Sequence, residues 1–280
     1  MSVRSNAQTV RRPGASPQAR AARGIGDHLR AWRQHRRMSQ LDFALEAEIS
    51  QRHLSFMESG RSKPSREMVL HLAERLEVPL RERNALLLAA GYAPIYQERG
   101  LDDPALAPAR EAIDLVIGGH EPYPALAVDR HWTLVAANKA VAPLLVGVAD
   151  KSLLEPPVNV LRLGLHPGGL APHTDNLPEW RDHLLERLRQ QIAVSGDEVL
   201  ARLLEELSAY PAPASRPKPR ADLGGIVVPF ELRTPQGLMS FFSTTTVFGT
   251  PVDITLSELA LECFYPANAD TAEILKRTVL

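Results

Sequence analysis

The sequence predicts two domains of different class: an all-α domain of five short helices, followed by an α+β domain with an antiparallel sheet. Three observations support this division. Helical periodicity with capping residues fills residues 25–92, and a run rich in Pro, Ala and charged residues follows at 93–110. Over residues 105–270, two strand-like runs come early, amphipathic helices lie in the middle and three strand-like runs come at the end. The 280 residues are enough for two domains of ordinary size.

The composition separates a basic part of the chain from an acidic part. Residues 1–92 carry 16 Lys and Arg against 9 Asp and Glu, whereas residues 93–280 carry 16 against 24. This asymmetry indicates that the first part meets a polyanion. Cys263 is the single cysteine, so no internal disulfide can form. No apolar run approaches the ~20 residues of a membrane helix, and we therefore expect a cytoplasmic protein without a membrane partner.

The first three helices are predicted from spacing and caps. Ile25, Leu29 and Trp32 lie on one helical face. Ser39 and Asp42 form a capping box for a second helix, which is expected to run to about position 48. A serine at position 50 can cap a third helix that ends before a glycine at position 60. The residues expected to be buried by the second helix are Leu41, Ala44 and Leu45.

Two more helices complete the first domain, and terminal segments flank the two domains. Pro64-Ser65 opens the fourth helix, and Pro79 opens the fifth, which Gly91 stops. Residues 1–24 have almost no large apolar side chains and are expected to form a disordered basic tail. Residues 93–104 are expected to be a linker and residues 271–280 a C-terminal tail. The inward side of the fourth helix is predicted to be Val69, Leu72, Ala73 and Leu76.

The second domain begins with a predicted helix over residues 105–120. The segment 124–145 then predicts strand, turn, strand and helix, with Trp132 inside the second strand. Residues 177–196 and 197–210 have the apolar spacing of amphipathic helices. Three strand-like runs end the domain, at 225–232, 238–249 and 252–265.

Residues 38–65 carry a specific pattern. It consists of Ser39-Gln40, Ala44, Ile49, Leu54, Glu58-Ser59-Gly60 and Pro64-Ser65. This pattern resembles the helix-turn-helix of the Cro/repressor family, also called the xenobiotic-response-element (XRE) family, over about residues 25–91. The resemblance implies a five-helix, lambda-repressor-like domain that binds a double-stranded DNA operator. Ala47-Glu48-Ile49 departs from it, because the family usually has a glycine in this turn.

The start of the third helix is predicted to contact bases. Gln51 and Arg52 occupy its first positions, next to the Ser50 cap, and a helix lying in the major groove contacts bases with its N-terminal end. Gln can pair with adenine and Arg with guanine through two hydrogen bonds. Ser55 follows one turn later and points the same way. Phe56 stays open, since it can contact a thymine methyl group or belong to the core, and the role of the neighbouring histidine, at position 53, is also open.

Other polar side chains are expected to contact phosphate. Arg37, Arg61 and Lys63 suit this role, while Gln40 either holds a phosphate or braces Gln51. The basic tail either follows the minor groove or backbone or stays unengaged. Three further arginines are expected to be only solvated, namely Arg30, Arg33 and Arg66.

The second domain shows no pattern of an enzyme or a metal site. It has no G-x-S-x-G, no Gly-rich phosphate loop and no C-x-x-C, so we expect no catalysis. His166, His173 and His183 fit no compact ligand spacing, and no metal is expected. Cys263 is expected to be a core residue, with a redox sensor as the alternative.

A second resemblance covers residues 105–270. It rests on Asp129-Arg130-Trp132, Asn138-Ala140, Asn159-Arg162-Leu163 and Trp180. These segments resemble the MmyB-like ligand-binding domain that often follows this helix-turn-helix. The resemblance implies a PAS-like fold whose apolar pocket holds a small apolar, fatty-acid-like ligand, with no other cofactor. The residues expected to line the pocket are Trp132, Leu134, Leu161, Leu163, Trp180, Leu184, Phe241 and Phe264, although each can also be simple core.

These observations predict a cytoplasmic bacterial transcription regulator. Its basic domain binds an operator as part of a homodimer, and its acidic domain senses a small apolar ligand or mediates dimerisation. One alternative is a DNA-binding protein whose second domain serves only assembly or protein contacts. Another is an enzyme with a DNA-binding appendix, which would need titratable groups that converge in a cleft.

Overall fold

The structure, a computed structural model, describes residues 24–211, 228–249, 251 and 253–279, and it divides into two compact units after Ile95. The expected basic tail lies almost wholly outside the described residues and stays a prediction. In the first unit, Ser39, Ser50 and Ser65 each accept a hydrogen bond from a backbone N–H of the helix that follows, as the sequence predicts. The helices of this unit are α1 (Ile25–His35), α2 (Gln40–Glu46), α3 (Gln51–Glu58), α4 (Arg66–Arg75) and α5 (Leu80–Ala89).

The core of the first unit corrects the predicted inward face of α2. Leu41 is 51% exposed and Leu45 is 69% exposed, so both were placed wrongly. The helix instead buries Phe43, Ala44 and Ala47 against α3. An aromatic ring has more apolar surface to remove from water than a leucine, so the rotation that buries Phe43 is favoured. The four inward residues predicted for α4 are fully buried.

The turn between α2 and α3 keeps the geometry of a glycine turn without a glycine. Glu48 has a φ of 54°. Its N–H and that of Ile49 bond back to the carbonyls of Leu45 and Ala44, which is the Schellman ending of a helix. The helix-turn-helix geometry is therefore preserved, at the expense of a strained glutamate. The same left-handed position follows the other four helices, at Arg37, Gly60, Glu77 and Gly91.

The second unit is built on a five-stranded sheet in which every pair of neighbours is antiparallel. Its order is β2-β1-β5-β4-β3, so the first hairpin lies beside the last strand of the chain. The predicted α+β class with an antiparallel sheet is confirmed. The strands are β1 (Ala125–Val128), β2 (Leu134–Ala137), β3 (Phe230–Thr234), β4 (Gly237–Val247) and β5 (Ala260–Pro266).

Helices lie on both sides of this sheet. Alternate residues of β1 and β5, such as Ala127 and Leu261, pack with Ile113 and Ile117 on one side. On the other side, Leu184 and Leu188 belong to the larger hydrophobic core. The helices of this unit are α6 (Ala107–Gly118), α7 (Val160–Leu165), α8 (Leu177–Ser195), α9 (Glu198–Ala209), α10 (Ile254–Ser257) and α11 (Ala269–Val279).

Three predictions about the second unit are corrected. The run 252–265 is not one strand, because Asp253 caps the short helix α10 and the strand begins only at position 260. The expected tail, 271–280, is mostly helix, since Ile274 and Leu275 of α11 are buried in the core. Residues from position 96 onward in the expected linker belong to this unit, where Arg99 pairs with Asp253 at 3.0 Å.

No helix in the described ranges is long and apolar enough to cross a membrane.

Candidate DNA-binding surface and ligand cavity

The N-terminal end of α3 presents polar side chains to solvent. The Ser50 hydroxyl accepts the His53 N–H at 3.1 Å and fixes the start of the helix. Gln51, Arg52 and His53 are exposed, while Leu54 on the opposite side is fully buried. The helix is therefore anchored by one face and leaves the side chains predicted to contact bases free to meet a partner.

Phe56 is not part of the buried core and contacts two arginines instead. It is half-buried, and the guanidinium of Arg52 lies over its ring at 5.3 Å from the centroid. The guanidinium of Arg61 approaches the same ring at 5.9 Å. Cations are attracted to an aromatic face in this range. The Phe56 ring therefore contacts both Arg52, a predicted base contact, and Arg61, a predicted phosphate contact. Ser55, the preceding residue, is half-buried.

The other predicted phosphate contacts are exposed. The ammonium of Lys63 lies 5.4 Å from the ring centroid of Tyr92, whose hydroxyl donates to the Pro64 carbonyl at 3.0 Å. Tyr92 thereby contacts two residues of the turn after α3, Lys63 and Pro64. Arg37 is exposed directly after α1.

A buried cluster around Glu58 corrects the treatment of two arginines as solvated. Arg33 donates two hydrogen bonds to the Glu58 carboxylate, at 2.6 and 2.9 Å, and both side chains are almost completely buried. Arg30 donates to the Glu58 backbone carbonyl at 2.9 Å. The amide of Gln40 donates to Glu58 at 2.8 Å rather than to the expected Gln51. Together these bonds tie the end of α3 to α1 and α2, while Arg66 is exposed as expected.

The charge state of Glu58 follows from these partners. Burial by itself raises the pKa of a carboxyl, since it disfavours the charged form. The hydrogen bonds from Arg33 and Gln40 outweigh burial and lower the pKa of Glu58 below its usual value. Glu58 is therefore ionised at neutral pH, and its charge is matched by Arg33.

The second unit encloses a cavity of about 280 Å³ between the sheet and its helices. Its wall is mainly aliphatic and aromatic, and the polar exceptions are Arg187, Ser243 and Glu262. The apolar part of the wall includes residues from β1, β2, β3 and β5 and from α7 and α8, among them Leu126, Leu134, Phe230, Phe264, Leu161 and Leu184.

Seven of the eight residues expected to line a pocket border this cavity. The exception is Phe241, which is fully buried and packs against Phe230 and Phe264 with ring centroids 6.3 and 6.2 Å away. Both of these rings border the cavity. Border residues that the sequence analysis missed include Leu126, Leu144, Leu145, Leu154, Arg187 and Glu262.

Two family models match the chain. A helix-turn-helix model matches residues 29–83. A model described as MmyB-like transcription regulator ligand binding domain matches residues 109–277, which is more than half of the sequence. The chain belongs to this MmyB-like family. No curated protein matches it. The two matches confirm both resemblances and make the chain a DNA-binding transcription regulator; neither family is an enzyme family.

Arg187, a polar cavity residue that the sequence analysis missed, lies on one face of α8 in the MmyB-like domain. Trp180, Leu184, Arg187 and Gln191 recur at spacings of four, three and four, so they share one side of the helix. This spacing could have pointed to Arg187. Its partner Glu262 could not be found in this way, because the pairing depends on how α8 packs over a strand 75 residues further along the chain.

Trp132 has an unusual backbone in the MmyB-like domain. The sequence analysis placed it inside a strand, but its φ is 65° and β2 begins only at Leu134. The Asp129 carboxylate accepts two backbone N–H groups of this turn, and the Trp132 indole N–H donates to Gln191 at 2.8 Å. A bulky residue in the left-handed region is strained, and such strain clusters at ligand sites.

The histidines and the cysteine have separate surroundings. His166 accepts the Gly168 N–H, His173 contacts the Gly147 carbonyl, and His183 stacks on Trp180. Cys263 is buried in the sheet core, and burial raises the pKa of its thiol. No group of three or more candidate metal ligands occurs among the residues that the structure describes.

Proposed function

We propose that a small apolar ligand, held in the cavity of the MmyB-like domain, changes how tightly this regulator binds its operator. The cavity is the observation that carries the proposal. Native cores are close-packed. A mainly apolar space of about 280 Å³ departs from this packing and leaves room for a small ligand. Two tryptophans and many leucines on the wall favour an apolar occupant.

The proposed DNA contacts divide by role. Gln51 and Arg52 are assigned to bases, with Ser50 and Ser55 beside them. Arg37, Arg61 and Lys63 are assigned to phosphate, and Gln40 both supports Glu58 and can reach a phosphate from the start of α2. Exposure of Gln51 and Arg52 at the N-terminal end of α3 supports the base contacts, because the major groove receives the N-terminal end of a recognition helix.

We propose that the regulator acts as a homodimer. Helix-turn-helix dimers place two recognition helices about 34 Å apart, one turn of DNA. The ligand must then bind the DNA-competent and incompetent states with different affinities, since equal affinity shifts nothing. A hundredfold change in operator affinity corresponds to about 2.7 kcal/mol of coupling.

The tryptophans allow a direct test. The chain has three, and Trp132 and Trp180 line the cavity, whereas Trp32 lies in the first unit. In a Trp32→Phe variant, fluorescence reports only the cavity. We expect decanol, an uncharged apolar probe, to change this fluorescence and to raise the melting temperature.

The second half of the test is operator binding with and without the probe. DNA sites are first selected from a genomic library with the full chain, and their affinity is then measured with decanol present. If decanol binds without changing operator affinity, ligand regulation by this probe is wrong. If no apolar compound binds, and native mass spectrometry of the extracted protein detects no small molecule, the second domain serves only assembly or protein contacts.

A further inference from the structure

The polar end of the cavity is a matched pair of charges. Arg187 donates to both oxygens of Glu262, at 3.1 and 2.5 Å. The Thr245 hydroxyl accepts from Arg187 at 2.6 Å and donates to Glu262 at 3.0 Å. Strand register builds this arrangement, because Glu262 stands opposite Thr245 on β4 and opposite Leu126 on β1. The pair thus borders a mainly apolar space with no net charge of its own.

The surroundings of the pair keep this balance. The Glu262 side chain is 5% exposed and that of Arg187 is 27% exposed. The guanidinium also lies 4.7 Å from the ring centroid of Trp132, whose π face favours a cation. Two other titratable groups lie nearby. Burial first, and then Arg187, lower the pKa of His183, and burial first, and then Glu262, raise the pKa of the Cys263 thiol, so both are uncharged at neutral pH.

A charged headgroup would disturb this balance. A carboxylate reaching Arg187 would place two anions around one guanidinium, and an ammonium reaching Glu262 would place two cations around one carboxylate. Either leaves an unpaired charge in a poorly solvated site, which is unfavourable. A hydroxyl or a carboxamide has both a donor and an acceptor. It can donate to Glu262 and accept from Arg187 or from the Ser243 hydroxyl, which also borders the cavity.

We propose that the cavity selects uncharged amphiphiles, with an aliphatic chain and one hydroxyl or carboxamide head, and that the Arg187–Glu262 pair is the headgroup site. The proposal rests on the ligand-binding function proposed above and narrows its ligand class. It predicts that an alcohol or an amide binds more tightly than the free fatty acid with the same chain. The cavity volume, close to the lower limit of about 300 Å³ for small-molecule pockets, suits chains of moderate length.

A set of four probes with the same alkyl chain tests the selection. Decanol, decanamide, decanoate and decylamine are titrated into the full chain carrying Trp32→Phe, near neutral pH and below their aggregation concentrations. We expect the two uncharged probes to bind about tenfold tighter than the two charged ones, or better. Decanoate that binds as tightly as decanol overturns the proposal but leaves ligand binding intact. If none of the four binds, the proposal is overturned; the ligand-binding function falls as well if native mass spectrometry of the extracted protein also detects no small molecule.

Two shape-matched substitutions should reverse the selection. Glu262→Gln leaves Arg187 unbalanced, so the affinity for decanoate should rise about tenfold relative to decanol. Arg187→Gln leaves the charge of Glu262 unpaired, so the affinity for decylamine, relative to decanol, should rise instead. Arg189→Gln is the matched control, since Arg189 is an exposed arginine on the same helix. A purely structural pair would change melting temperature without exchanging head preference. If one variant fails to fold, the other decides, and unchanged preference in a folded variant overturns the proposal.

Discussion

Each unit of the protein contains an arginine that holds a buried glutamate by two hydrogen bonds, and the surroundings of the two pairs differ. Arg33 and Glu58 are enclosed by helices, and both side chains are less than a tenth exposed. Arg187 and Glu262 border a cavity, and the arginine remains partly exposed. Where the neighbouring space is filled, such a pair can only position helices. Where the neighbouring space is open, as beside Arg187 and Glu262, we propose that such a pair serves as a polar site for a ligand.

Removing the arginine from each pair should give the largest and most unequal effects. We expect Arg33→Met to lower the free energy of unfolding by about 3–5 kcal/mol, because Glu58 stays buried without its main partner. For Arg187→Met we expect about 1–3 kcal/mol, because Thr245 still donates to Glu262. Urea unfolding checks this, with Trp32 reporting the first unit and Trp132 and Trp180 the second. Equal losses would remove the distinction between the two pairs.

Lowering the pH should weaken the Arg33–Glu58 pair and so destabilise the first unit. The folded pKa of Glu58 lies below its unfolded value of about 4.3. Its contribution to stability is therefore complete above that value and is lost as pH falls through the folded pKa. Unfolding of the first unit, followed by Trp32 fluorescence between about pH 6 and pH 3, should show this loss. Glu58→Gln should be less stable at neutral pH but lose less on acidification; an identical pH slope would contradict the assignment.

The contact predicted for Arg52 concerns DNA rather than stability. We expect Arg52→Ala to weaken binding to the preferred operator by about 1–3 kcal/mol and to change binding to random DNA far less. Fluorescence anisotropy with both DNAs measures the difference. Arg66→Ala is the control, since Arg66 is exposed but is expected to be only solvated. A uniform loss on both DNAs would make Arg52 a phosphate contact.

The glutamate in the helix-turn-helix turn should be a site of stabilisation. Glu48→Gly should raise the free energy of unfolding by about 0.5–1 kcal/mol. The left-handed conformation costs an ordinary residue about 1–2 kcal/mol, and the greater freedom of glycine in the unfolded chain offsets part of the gain. The exposed pair of Glu48 with Arg75, at 3.8 Å, adds little. Glu46→Gly, at the last position of α2, relieves no left-handed conformation and should instead destabilise, by at most about 1 kcal/mol, in the same thermal or urea unfolding experiment.

The smallest effect is expected for Lys63. Lys63→Ala should reduce the slope of log affinity against log salt by about one unit at most, for operator and random DNA alike. Lys139→Ala, an exposed lysine of the second unit, should leave the slope unchanged. A slope that is the same for Lys63→Ala and the unaltered protein would exclude Lys63 from the DNA interface.

Much of the first unit could be predicted because its signals are local. A cap such as Ser39 and a stop such as Gly91 act within one helical turn, so neighbours in sequence suffice to place them. The rotation of α2 could not be predicted in this way. Leu41 and Phe43 both fit an apolar pattern, and only the partners packed against the helix decide which of them is buried.

Less of the second unit could be predicted from the sequence, because its critical contacts join segments that are distant along the chain. Trp132 was predicted at the pocket, and it borders the cavity, but its left-handed turn was not foreseen. The run before β5 has strand-like composition, yet Asp253 starts a short helix there. Phe241 was expected at the pocket as an aromatic residue on the helix-facing side of the sheet, but it packs against two rings that border the cavity and does not border the cavity itself.

By itself, the sequence determined the two domain classes, the helix caps, the polar end of α3 and the mainly apolar nature of the pocket wall. These depend on local spacing and on side-chain type. Only the tertiary structure decided that Arg33 is a buried partner of Glu58, that Glu48 takes the place of a turn glycine, and that Arg187 meets Glu262 at the cavity. Burial and pairing arise when segments 25 or 75 residues apart come together, and no local pattern specifies which charges will meet.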